Sequence, residues 1–187
     1  WQSLYRYTLG DVKNGGTDTF ELVGVSGNST YGHQGAGTID STFNLYVRTA
    51  SGGTAGDLMV WKLNQPNSGS NFNFKVDLQL PDGTPFEMNP KYGVDYDAAN
   101  GNILLWDGFG KVWSVTVAVD AAGNVLPNWV VTELSSATID HPNSGPGTGV
   151  LGKWKYVSEL GAFVALDQYS YLNGDAGVWL YKPFVTA

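Results

Sequence analysis

Three stretches, "TIDSTFNLYVRT" (38–49), "DYDAANGNILLW" (95–106) and "KYVSELGAFVAL" (155–166), align without a gap, and their reading decides the fold. Ile39, Tyr96 and Tyr156 fall in one column, and Asn44, Gly101 and Gly161 in a second. Tyr46, Ile103 and Phe163 make a third, apolar column. The corner between the columns is rich in Asp, Ser, Asn and Gly, which form turns by side-chain capping or by tolerating positive φ. Each stretch therefore reads as strand, tight turn, strand. A loop of variable length follows, and then a third strand opening on Val60-Trp61, Val112-Trp113 or Val178-Trp179.

The repeats begin 57 and 60 residues apart, which leaves room for a fourth strand. "FNFKVDLQL" (72–80) and "WVVTEL" (129–134) fill that role in the first two copies. A meander of four antiparallel strands repeated around an axis is a propeller blade. The rival is a β-sandwich, whose strands show similar spacing but seldom a repeated hairpin followed by Trp. The expected fold is thus all-β, a partial β-propeller of four-stranded blades, with a β-sandwich as the alternative.

The pattern resembles the kelch-like and galactose-oxidase-like β-propellers of secreted bacterial proteins, over about residues 32–183. The paired-glycine core of the typical kelch repeat is not present in this sequence. The resemblance is one of fold, and function does not travel with it. On this reading residues 1–26 are half a blade, "SLYRYTLG" (3–10) being a third strand and "FELVGVS" (20–26) a fourth. Whole or nearly whole blades occupy about 32–80, 92–134 and 152–183. Closed propellers have four to eight blades. The expectation is a fragment or subunit that needs upstream blades or a further chain to close its ring. A start at Trp1 rather than Met fits a processed or trimmed chain.

Composition narrows the partners. In 187 residues there are 25 glycines, and charged residues make up only 14%, with a net charge of −7. Ten scattered Lys and Arg give no basic footprint for a phosphate backbone, so nucleic acid is not expected. No apolar run is long enough to span a bilayer as a helix. The absence of cysteine removes disulfides, thiolate metal sites and cysteine nucleophiles together. Low charge and Gly, Asn, Ser and Thr richness lean towards an extracellular or periplasmic protein.

In a propeller, loops linking one blade to the next cross the face beside the channel and collect ligand-contacting residues. Here they are "GNSTYGHQGAG" (27–37), "PDGTPFEMNPKYG" (81–93) and "IDHPNSGPGTGVLG" (139–152). They hold both histidines, His33 and His141, with Tyr31, Glu87, Lys91 and Asp140. Three readings stand side by side. Each His hydrogen-bonds its own loop; or His33, Tyr31 and His141 act as base and acid in proton abstraction from a polysaccharide; or two His and a carboxylate hold a metal. No metal or other cofactor is expected. "DYDAANGN" (95–102) has the oxygen ligands of a calcium loop but lacks its terminal Glu, and reads as a turn. "GTGVLG" and "GHQGAG" lie outside any strand-to-helix context and are not nucleotide loops, and no G-x-S-x-G elbow is present.

The Trp of the three Val-Trp pairs are expected between blades. Trp1, Trp106, Trp129 and Trp154 are left open as aromatic faces for a sugar, as are Tyr169 and Tyr171 in "LDQYSYLNGD" (166–175). The leading expectation is a scaffold that binds carbohydrate or a protein. The alternatives are a polysaccharide-active enzyme of the lyase type, and a structural subunit that completes a propeller with another chain.

Overall fold

The computed structural model describes residues 3–25, 35–52, 55–65, 73–134, 141–144, 149–167 and 177–183. Within them the chain is all β, and the only helical turn is a short 3-10 segment at Val12–Asn14. Among the described residues no helix is long and apolar enough to cross a membrane.

An N-terminal hairpin pairs β1 (Ser3–Thr8) with β2 (Thr19–Val25). The first unit is a meander of β3 (Gly37–Asp40), β4 (Leu45–Gly52), β5 (Ala55–Lys62) and β6 (Asn73–Gln79). The second repeats it with β7 (Gly93–Asp97), β8 (Asn102–Trp106), β9 (Val112–Thr116) and β10 (Asn128–Leu134). The third contains β11 (Trp154–Val157), β12 (Ala162–Leu166) and β13 (Val178–Tyr181). The strands follow the repeat except in the first unit, where β4 runs on to Gly52 and β5 begins at Ala55, so most of the stretch expected as a loop before Val60-Trp61 is paired strand.

The corner column has a simple cause. Asn44, Gly101 and Gly161 all adopt positive φ, at 54°, 69° and 54°, a region that side chains other than Asn tolerate poorly. Just before it, Asp40 Oδ1 accepts the amides of Thr42 and Phe43, and Asp97 Oδ1 those of Ala99 and Asn100. Carboxylate and left-handed residue together close the first two corners; the third, with Val157 in place of the Asp, is closed by backbone bonds from Leu160 to Val157 and from Gly161 to Ser158.

Alternation along the strands gives each unit two faces. One face of the first unit carries Val47, Leu58, Val60 and Val76, and it packs on Ile103, Leu105, Trp113 and Val115 of the second. The opposite face of the second unit, with Leu104, Trp106 and Val112, packs on Trp154, Phe163 and Ala165 of the third. Met59 and Trp61, on the back of the first unit, pack on Leu4 and Val23 of the hairpin. The units are therefore stacked in chain order, each front on the next back.

One connection joins the first two units. β6 and β10 pair in parallel, Asn128 opposite Asp77, so the first two units form one eight-stranded sheet. Both are last strands of their units and run the same way, so each offers the other an unpaired edge. The two ends of that sheet, β3 and β7, also meet: Thr38 Oγ1 donates to Asp95 Oδ1 at 2.6 Å.

Candidate functional site

The inner strands of the three units meet at one carboxylate. Asp95 on β7 is 7% exposed. Its Oδ1 accepts Thr38 of β3, and its Oδ2 accepts the Tyr156 amide of β11 at 2.7 Å. Lys155 Nζ stands 3.4 Å from Oδ1 and balances the charge. One residue along, the column of tyrosines reaches backwards. The Tyr96 and Thr42 hydroxyls are 2.6 Å apart, joining the second unit to the corner of the first. The Tyr156 hydroxyl bonds Asp97 at the corner of the second; burial first, and then this carboxylate, raises the phenol above its ordinary pKa. These groups are fully used in joining units. The carboxylates of "DYDAANGN" are thus structural, and no group of three or more His, Asp or Glu that would hold a metal occurs among the described residues.

Three concavities lie among the described residues. The first runs along the outer edge of the first unit, where β6 meets the start of β10. It has a volume of about 370 Å³, within the range of small-ligand sites. Asp77 and Asn128 line it from the paired strands, and Glu87 from the loop after β6. Val76, Phe86 and Met88 form its apolar floor, fixed from below because Phe86 packs edge-on against Trp113. Asp57 and Lys75 close one side as an ion pair at 2.6 Å. The hairpin loop that carries Glu87 is held by Asp82, which accepts the Thr84 amide and is kept below the usual carboxylate range by that bond.

The second lies between the second and third units and measures about 70 Å³. Trp106, Trp154 and Trp179 surround it, with His141 and Phe109 at its wall. The His141 Nδ1 is 3.1 Å from the Pro142 carbonyl, which matches the reading of a histidine bound to its own loop. Trp154 Nε1 is buried with no hydrogen-bond partner among the described residues. The cavity is too small for a sugar ring. The third, about 340 Å³, lies between the N-terminal hairpin and the back of the first unit, lined by Tyr5, Tyr7, Ile39 and Tyr46.

The residues singled out from sequence are thus spread out. Glu87 lines the large cleft. Lys91 does not; its amide bonds Asn89 Oδ1 and its carbonyl accepts the Val150 amide, tying two loops together. His141 lines the small cavity, which shares no lining residue with the cleft. Tyr31, His33, Asp140, Tyr169 and Tyr171 lie outside the described residues. Trp106, Trp129 and Trp154, left open by the sequence, offer no face to a sugar, being at most 1% exposed. Their rings are large apolar surfaces that fill the joints between units, where burial is most favourable. Of the Val-Trp pairs, Trp61 and Trp113 are buried and Trp179 is half-buried with Nε1 donating to Asp167. Sequence reasoning missed Asp57, Lys75, Asp77 and Asn128, which come from the consecutive strands β5 and β6 and from the distant β10, and share no motif.

Comparison with protein-family models, with curated proteins and with solved structures finds no match for this chain.

Proposed function

We propose that the chain is a β-propeller segment that acts as a rigid binding scaffold, and that its ligand is a neutral carbohydrate held in the cleft beside Glu87. The stacking of front on back through three successive joints, with inner strands side by side, supports the propeller reading over the sandwich. The cleft carries the ligand reading. It sets hydrogen-bonding groups (Asp77, Glu87, Gln79 and Asn128) around an apolar floor, at a volume of about 370 Å³. Sugar hydroxyls donate to carboxylates and amides, while C–H faces need an apolar surface. Three carboxylates against one Lys disfavour an anionic polymer.

Calorimetric titration with a panel of neutral and acidic oligosaccharides tests this. Glu87 and Asn128 are exposed, so Glu87→Ala and Asn128→Ala leave the fold intact. Each is expected to weaken a neutral ligand about tenfold, the loss of one good hydrogen bond. A panel in which nothing binds, or in which both variants bind as the parent does, overturns the reading.

A further inference from the structure

We propose that two copies of this chain join head to tail, the front of the third unit of one copy covering the outer face of the N-terminal hairpin of the other. In the alternation of the third unit, Phe163, Ala165, Trp179 and Tyr181 face back onto the second unit. The opposite face holds Leu166, Val178 and Leu180, which are 38%, 68% and 61% exposed. Cross-strand register sets Leu166 beside Val178 and Val164 beside Leu180, so the four form one apolar patch. In the first two units the same face is the one buried by the next unit.

The hairpin shows the complement. Leu4 and Val23 face the first unit. Tyr5 pairs with Leu22 and Tyr7 with Phe20; alternation turns all four to the other side, where the Tyr7 and Phe20 rings pack 4.7 Å apart, and Tyr5 and Tyr7 also border the cavity beside Ile39 and Tyr46 at the strand edge. All four are exposed, Phe20 most at 74%. None carries a formal charge. Isolated soluble proteins rarely leave such apolar patches open.

The molecule itself states what covers such faces. At each of its three joints a front packs on a back, never front on front. Among the described residues, one front and one back are left over, at opposite ends of the stack. A second copy supplies both complements at once, and a contact between two different patches is heterologous, closing into a ring or continuing as an array. This inference needs only the joints and not the carbohydrate reading, so either can fail alone.

Sedimentation velocity over a hundredfold range of concentration tests it, with Leu180→Lys and Phe20→Lys as face-specific variants. Both positions are exposed, and circular dichroism verifies that each variant is folded. The parent is expected to associate with rising concentration, and each variant alone to stay monomeric. An equimolar mixture of the two variants is expected to form a dimer, because one retains an intact front and the other an intact back. A parent that is monomeric throughout overturns the proposal. So does a mixture that stays monomeric while the parent associates, or a variant that associates alone.

Discussion

Asp95 joins three strands that no local interaction would bring together, one from each unit. Replacing it with Ala leaves the Thr38 hydroxyl and the Tyr156 amide without their acceptor in a dry joint. The expected loss is about 2–4 kcal/mol in urea unfolding, the range for buried donors stripped of a partner. A loss below about 0.5 kcal/mol, the scale of a surface change, would contradict this role. Asp40 is the opposite case. It is fully buried, its Oδ2 has no hydrogen-bond partner, and burial raises its pKa above the ordinary value, against the pull of two amides. A group whose folded pKa is raised adds stability below its unfolded pKa, near 3.8, and that stability is lost as pH rises through the folded value. Asp40→Asn is therefore expected to be about 1 kcal/mol more stable than the parent at pH 7. The advantage should vanish as pH falls towards 4. Thermal unfolding across that interval measures it, and an advantage that grows on acidification contradicts the assignment.

At the scale of elements, the hairpin corner is the recurring device, and it was legible because all its causes are local. Capping side chain, left-handed residue and flanking apolar strands lie within a few positions of one another. Gly101 has open space around it, its nearest neighbour for an added Cβ being the Tyr96 hydroxyl at 3.9 Å. Gly101→Ala should therefore cost about 1 kcal/mol through φ alone. Asn44→Gly should change stability by under about 0.5 kcal/mol, since the backbone there already suits glycine. Equal effects at the two positions would show that the corners are not equivalent. The parallel seam between β6 and β10 was not legible. Neither strand differs in sequence from one with a free edge, and their meeting depends on how two whole units stack.

Over the whole molecule, the repeated face pattern dominates. The sequence showed three units and the tryptophans that follow each hairpin. It did not show that Trp106, Trp129 and Trp154 would be as buried, because an aromatic at a strand end has the same signature inside a joint or on a ligand platform. The cleft was legible only through Glu87, since its other polar walls come from β5, β6 and β10, brought together by the fold. The joints also explain why one column matters: Tyr96 and Tyr156 each tether a unit to the corner before it, whereas Ile39 in the same column is 58% exposed beside the N-terminal cavity. Tyr96→Phe should cost about 1 kcal/mol, as one hydrogen bond across a joint does. Substituting Ile39 with Val should cost less than half of that. The central claim is that the units stack with their inner strands side by side. The chain contains no cysteine, so a Thr38→Cys, Asp95→Cys double variant has a single pair of thiols. Under mild oxidation of the folded protein, the account predicts an intramolecular disulfide between β3 and β7, seen by mass spectrometry of the non-reduced digest. A folded variant whose two thiols remain free under those conditions would contradict it.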